Sequence, residues 1–481
     1  MNRRMIVYMV GKIIMIEAAL LVLPAVVAAI YDEPCFTAFL VSSIIALCIG
    51  YFLTSRFVPE SYIIYAKDGF IIVAAAWVAL SVIGTIPFVL SGEIPDIADA
   101  FFETVSGFTT TGATIATRVE DFSHAVLFWR SFTHWVGGMG VLVFVIAIVP
   151  NASADRSIHI MRAEIPGPTV GKLVPRASDT ARILYRLYVV ITVMQIILLT
   201  ASGMPFFESL LNSFGTAGTG GLGVRSDSFA GYTHIQQWIT TVFMFICGIN
   251  FNVFYLLWVR RFRAIIRSEE LWCYLGMVLV SIVVIALNIM PIYDNVSDSV
   301  RHSAFQVSSI ITTTGYVTDN YDAWPQLSKG ILQLLMIIGG CAGSTAGGLK
   351  QSRVILLFKM IGKEYKRILY PRSVGVIKFE GKKVAESTIN GVGIYLAIYM
   401  ACFCAVFLLL CFEPFDFETN FSAVVTCFNN SGPGFADVGP LESYAKYSSF
   451  SKYVMSFAMF AGRLEIYPIL FLISPSTWAR R

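Results

Sequence analysis

The chain has 481 residues, of which 56% are hydrophobic and only 14% charged, with a formal net charge of +4 and a mean hydropathy of +0.70. Soluble domains carry about 25% charged residues, so this chain has too little charge to solvate its surface and enough apolar area to face lipid. Disorder, nucleic-acid binding and a soluble enzyme are excluded together, which leaves a polytopic membrane protein. The nine cysteines form no CxxC pair and no metal-like cluster with histidine. Most lie in apolar runs and read as small buried hydrophobes.

A bilayer crossing needs about 20 apolar residues. In chain order such runs fall at 5–30, 35–56, 69–91, 124–149, 183–204, 235–259, 271–293, 327–349, 390–412 and 447–474. The first is too long for a signal peptide and lacks a convincing cleavage site. Basic residues set the orientation. Arg3, Arg4 and Lys12, then Arg156 to Arg182, Arg260 to Arg267, Lys350 to Lys383 and finally Arg480 and Arg481 all fall on one side if both termini are cytoplasmic. Four long, more acidic segments then lie outside, where acidic charge would concentrate cations at a pore mouth.

Those four segments resemble one another. They read FFETVSGFTTTGATI from Phe101, FFESLLNSFGTAGTGGLG from Phe206, FQVSSIITTTGYV from Phe305 and FSAVVTCFNNSGPGF from Phe421. Each is a short apolar stretch, then Thr, Ser or Asn, then Gly. Aligning them puts Gly112, Gly220, Gly315 and Gly432 in one column, with Gly218 as a rival in the second. Each is followed by a span with a small-residue patch: Gly137, Gly138 and Gly140; Gly248; Gly339, Gly340 and Gly343; Ala461 and Gly462. Repetition at this period predicts four span–loop–span units: 69–160, 161–265, 266–385 and 386–481. Residues 1–68 form two extra N-terminal spans. The fold expected is an all-α polytopic membrane protein.

An apolar stretch of ten to twelve residues is too short to span. It suits a re-entrant half-helix that returns as an extended segment lining an aqueous path, since irregular backbone at membrane depth must be buried or line a cavity. The C-terminal dipole of such a helix favours a cation. Thr-Thr-Thr-Gly suits the extended part, because glycine lets consecutive carbonyls aim one way and rings of carbonyls can replace the hydration shell of a monovalent cation. A divalent ion usually wants carboxylates, and the four segments supply none there. Thr314, Gly315 and Tyr316 are also similar to the Thr-x-Gly-Tyr-Gly signature of tetrameric potassium channels.

On these motifs the chain resembles the bacterial Trk/Ktr superfamily of potassium-uptake proteins, related to plant HKT transporters, over essentially its whole length. The two extra N-terminal spans are similar to the TrkH type. The resemblance implies a pseudo-tetrameric channel in one chain, with a potassium filter at Thr110, Thr111, Gly112, Ala217, Thr219, Gly220, Thr313, Thr314, Gly315, Asn430, Ser431 and Gly432. It also implies an inner-membrane homodimer with one pore per protomer and a cytosolic TrkA-like ring of RCK domains that brings NAD or ATP. The chain itself carries no nucleotide motif and is expected to bind no cofactor beyond the transported potassium. Sodium permeation, or symport of potassium with protons or sodium, is the alternative. Symport with protons would want a titratable group in the pathway, and none is expected near the filter.

Gly339 to Gly348 hold five glycines, which make no secure helix. The stretch reads either as a small-residue packing patch or as a break in the helix. The resemblance implies the second, an intramembrane gate loop with Gly339, Gly340, Gly343, Gly347, Gly348 and Lys350. Arg463 lies mid-span with Glu465 close by, and a charge there is usually functional or paired. It is expected to act as an electrostatic barrier or to hold the gate. Arg130 and His134 are expected at the outer interface with no role, and Glu17 is unassigned. An intramembrane enzyme would need paired Asp, HExxH or Ser with His at depth, and the five histidines do not supply this.

Overall fold

The computed structural model describes residues 1–61, 65–140, 177–372 and 375–478. The basic segment 156–176 and the terminal Arg480 and Arg481, used above for orientation, lie outside the described residues. Among the described residues the chain is helical apart from one two-stranded hairpin, Lys378–Phe379 with Lys382–Lys383. Among the described residues six helices are long and apolar enough to cross a membrane: Arg3–Ile30, Phe36–Arg56, Lys67–Ser91, Ala181–Ala201, Glu269–Ile292 and Glu386–Leu410. Each coincides with a span read from the sequence. Their outward faces expose large apolar side chains such as Ile30, Phe52, Ile197, Leu279 and Leu408, an arrangement that requires a lipid surround.

The four other expected spans are each interrupted among the described residues, and residues 141–149 of the first lie outside them. The helix His124–Gly138 stops at Met139. His234–Cys247 and Phe251–Trp258 meet at 91°. Gln326–Ile338 ends at Gly339 and helix resumes only at Gln351. Ser449–Arg463 and Tyr467–Ile473 are separated by Glu465 and Ile466, both with positive φ. Hydropathy continues through these breaks, so it does not reveal them; only the glycines of 339–348 mark one in the sequence. Close backbone packing accompanies them. A side-chain carbon on Gly137 would stand 1.9 Å from the Phe108 carbonyl oxygen, one on Gly462 2.1 Å from that of Phe428, and one on Gly347 2.2 Å from that of Asn429.

Those carbonyls belong to the first and last of four short, buried helices, each preceding a broken one: Ile97–Phe108, Phe206–Gly218, Val296–Ile311 and Phe417–Asn429. At 12 to 16 residues they are roughly 18 to 24 Å long, short of the ~30 Å apolar core of a bilayer. Asp96 and Asp416 cap the first and last by accepting backbone N–H groups. Further along, nearly every side chain is buried, including Thr104, Ser106, Asn212, Ser213, Gln306, Ser309, Ser422 and Thr426. Among the described residues, a long helix, a short buried helix, an extended segment and a further helix that ends or bends early follow one another four times in chain order.

The first two spans pack against each other through Gly11 and Gly50. A side-chain carbon on Gly11 would meet Leu53 Cβ at 2.9 Å, and Ser43 Oγ donates to the Ala18 carbonyl at 2.7 Å. This pair then rests on Lys67–Ser91. Gly84 there leaves room for Thr104, Phe108 and the buried carboxyl of Glu17.

Candidate functional site

Each short helix ends the same way. Thr110, Thr219, Thr313 and Asn430 adopt left-handed backbone, with φ of 54°, 57°, 54° and 55°. The next residue donates its N–H back five positions: Thr111 to Ser106 (2.9 Å), Gly220 to Gly215 (2.9 Å), Thr314 to Ser309 (2.8 Å) and Ser431 to Thr426 (3.0 Å). The residue after that is a glycine with positive φ: Gly112 (81°), Gly221 (72°), Gly315 (88°) and Gly432 (79°). This corrects one member of the column. Gly221, not Gly220, matches Gly112, Gly315 and Gly432, and Gly220 falls beside Thr111, Thr314 and Ser431. Ala217 lies inside its helix, so the second segment is Thr219, Gly220 and Gly221. The other sequence-predicted residues, Thr110, Thr111, Gly112, Thr313, Thr314, Gly315, Asn430, Ser431 and Gly432, lie together in the four segments.

These segments close a ring. A side-chain carbon on Gly112 would stand 2.0 Å from the Gly220 carbonyl oxygen, one on Gly221 1.8 Å from that of Thr314, one on Gly315 2.8 Å from that of Ser431, and one on Gly432 2.8 Å from that of Thr111. First segment meets second, second meets third, third meets fourth and fourth meets first. Only glycine fits both the backbone and the space at these four points. All four carbonyl residues are buried, and among the described residues none of these oxygens accepts a hydrogen bond. The same holds for the carbonyls of Thr110, Thr219, Thr313 and Asn430 one position earlier. Buried backbone carbonyls are almost always satisfied, so these eight oxygens, unbonded among the described residues, form a cradle whose chemistry suits a cation.

A second set of bonds ties the segments together outside the ring. Val119 N–H donates to Ser226 Oγ (2.9 Å), Phe229 N–H to the Val317 carbonyl (2.8 Å), Tyr321 Oη to the Gly434 carbonyl (2.9 Å) and Tyr444 N–H to the Thr114 carbonyl (2.9 Å). Above the ring opens a cavity of about 260 Å³ whose lining includes Gly112, Gly221, Gly315 and Gly432. Its charged lining is Arg130, Arg225, Glu442 and Lys446. The wall of this cavity is therefore not acidic, so any concentration of cations would come from the outer segments around it.

Behind the first segment lies a pair that sequence reading missed. Arg130 Nε donates to Glu103 Oε1 at 2.8 Å, with both side chains buried. Glu103 also accepts from Thr114 Oγ1 and from Ile115 N–H, each at 3.0 Å, fixing the chain just past Gly112. His134, on the same helix as Arg130, is fully buried against Gly220. Both residues were expected at the outer interface, and no buried histidine or carboxylate was expected near the filter; the structure corrects both. The available signal was an acid and a base inside otherwise apolar helices.

Beneath the ring, residues 339–350 form an irregular loop that folds back on the helix it leaves. Leu349 and Lys350 N–H donate to the Ile337 and Ile338 carbonyls (3.0 and 2.9 Å). Its tip reaches the ring: Gly347 N–H donates to Thr313 Oγ1 at 2.6 Å and Gly348 N–H to the Asn429 carbonyl at 3.0 Å. Ala342 N–H donates to Glu270 Oε1 at 2.7 Å, and Cys341 N–H to the Gly248 carbonyl at 3.0 Å. Lys350 is buried, with its ammonium on the Ala346 carbonyl. Arg463 donates to the Thr345 carbonyl (2.8 Å) and to those of Gly137 and Gly138 (2.6 and 2.8 Å). Its neighbour Glu465 pairs with Arg353 instead, at 2.5 Å.

Apolar spans around a ring of converging carbonyls define a multi-pass membrane protein of the cation-transporting class. Residues 36–479 match the TrkH family of cation transport proteins. The chain is 35% identical to the Trk system potassium uptake protein TrkH of Salmonella typhimurium and 34% identical to that of Escherichia coli K12, covering 99% of this chain and 100% of each relative. The crystal structure of the potassium transporter TrkH from Vibrio parahaemolyticus superposes with a TM-score of 0.89 at 28% identity, over 100% of both chains. The chain belongs to the TrkH family of cation transport proteins and is not an enzyme.

Proposed function

We propose that the chain takes up potassium through a gated, channel-like pore whose four span–loop–span units form a pseudo-tetramer around the carbonyl ring. The observation that carries this reading is the closed ring of buried, unbonded carbonyls at Thr111, Gly220, Thr314 and Ser431. Neutral oxygens at the ends of helices suit a monovalent cation, and the named relatives are potassium uptake proteins. The pore belongs to the bacterial inner membrane with both termini cytoplasmic, an orientation supported by the basic run from Arg260 to Arg267 and by the helix Gln351–Leu369.

In this reading residues 339–350 are the gate. The loop bonds directly to Thr313 and Asn429 and is pinned by Arg463. The helix Gln351–Leu369 leaves the loop directly and carries Lys359, Lys363, Lys366 and Arg367 beside exposed Phe358, Tyr365 and Ile368. It is the face on which a cytosolic TrkA-like subunit, charged with NAD or ATP, would act on the gate. A homodimer with one pore per protomer completes the proposal. The chain itself needs no cofactor.

Sodium permeation and proton symport remain the alternatives, and the buried Glu103 and His134 keep the second in play. The test is uptake of potassium, rubidium, sodium and lithium into liposomes holding the purified protein, with Gly112→Ser alongside and an internal pH dye. Potassium and rubidium preference that the mutation degrades, with no proton movement, supports the reading. Equal uptake of all four ions, or proton uptake in step with potassium, overturns it.

A further inference from the structure

Gly220 is the odd member of its column. Thr111, Thr314 and Ser431 each carry a hydroxyl side chain at the equivalent place. Thr111 and Thr314 anchor theirs on the hydroxyls of Thr109 and Thr312, both at 2.8 Å. A β-branched residue restricts its own backbone, whereas glycine frees it. The second segment therefore places two consecutive glycines, Gly220 and Gly221, in the ring, and its own side chains do not fix the direction of the Gly220 carbonyl.

The space beside Gly220 is nevertheless full. A side-chain carbon built there would lie 2.0 Å from Nδ1 and 2.4 Å from Cγ of His134. The imidazole comes from His124–Gly138, the helix that follows the first segment. The next turn of that helix is fixed on the second segment as well, since a side-chain carbon on Gly138 would stand 2.5 Å from Gly218 Cα. His134 is 0% exposed, and neither ring nitrogen has a hydrogen-bond partner among the described residues. Its contact with Gly220 is steric.

Resting on the selectivity reading given above, we propose that His134 is a positioning residue of the ion-selective ring. Supplied from the first unit, its imidazole takes the place of the side chain that Gly220 lacks. It holds the Gly220 carbonyl in register with those of Thr111, Thr314 and Ser431. A ring built from four unequal segments thereby gains a fixed wall at its second segment, and the neighbouring helix provides it.

The test is the potassium-to-sodium uptake ratio per folded protein in liposomes, which loss of fold alone does not move. His134→Ala lowers the ratio about two- to fivefold, the scale set by the extra backbone freedom of one glycine. Gly220→Ser also lowers it, because its side chain meets the imidazole. The double variant Gly220→Ser with His134→Ala recovers most of the ratio, since a hydroxyl side chain then fits as at Ser431. A His134→Ala protein that discriminates like the wild type, or a double variant no better than Gly220→Ser alone, overturns the proposal. If His134→Ala yields no folded protein, the two Gly220→Ser variants decide. A wild type without potassium preference overturns the selectivity reading and this proposal with it; a discriminating wild type beside an equally discriminating His134→Ala overturns this proposal alone.

Discussion

Replacing the four ring glycines with alanine one at a time should produce a graded loss of selectivity that follows distances in the structure. At Gly221 the new carbon would lie 1.8 Å from the Thr314 carbonyl oxygen, and at Gly112 2.0 Å from that of Gly220. At Gly315 and Gly432 the nearest carbonyl oxygens are both at 2.8 Å. Real contacts of this kind do not fall below 3.0 Å, so Thr314 must retreat by at least about 1.2 Å for Gly221→Ala, whereas a few tenths suffice at Gly432. All four also carry the left-handed penalty of about 1–2 kcal/mol for a residue with a Cβ. If about 1.4 kcal/mol of that strain falls on the potassium-bound ring, the potassium preference drops about tenfold. We expect Gly221→Ala and Gly112→Ala to lose at least that much and Gly315→Ala and Gly432→Ala to lose less, read as the potassium-to-sodium uptake ratio in liposomes. A harmless Gly221→Ala, or a Gly432→Ala worse than Gly221→Ala, would refute both the ring and its column.

Arg463→Ala removes three bonds that tie the loop to the first broken helix; basal potassium flux should rise with little change in the yield of folded protein, and unchanged flux per folded protein would count against a gating role. Gly347→Ala, whose new carbon would lie 2.2 Å from the Asn429 carbonyl, should push the loop from beneath the ring and likewise raise flux without altering the potassium-to-sodium ratio. Glu103→Gln leaves the buried Arg130 charge uncompensated and should cost about 3–5 kcal/mol, seen as a lower Tm in detergent; a combined Glu103→Leu, Arg130→Met protein should recover much of that Tm, and equal loss in both would show the pair is not coupled.

The six continuous spans were legible because each is a long apolar run broken by few charges. Three of the four ring segments were legible for a different reason. Thr-Thr-Thr-Gly before Gly112 and Gly315, and Asn-Asn-Ser-Gly before Gly432, each offer one glycine after a polar run. The second segment offers Gly218, Gly220 and Gly221 and no such run, so alignment by pattern slipped by one. What settles it is tertiary: the Gly220 N–H bonds to the Gly215 carbonyl, and Gly221 faces Thr314. Of the breaks in the other four spans, the one after Ile338 was legible in the five glycines of 339–348; the others were not, since hydropathy passes straight through them. These breaks accompany a neighbour's carbonyl pressing on Gly137, Gly347 and Gly462. Arg130 and His134 were misplaced because their position near a span end suggested water, whereas the short helices bury that whole depth.

The central claim is that the carbonyls of Thr111, Gly220, Thr314 and Ser431 bind the transported ion. The most direct measurement is anomalous diffraction from crystals of the protein soaked in rubidium, a heavy stand-in for potassium. The account predicts a strong peak on the ring axis within coordination distance of all four carbonyls, weakened by competing potassium and lost in Gly221→Ala. A ring with no peak while the same crystals show ordered rubidium elsewhere along the path would contradict it.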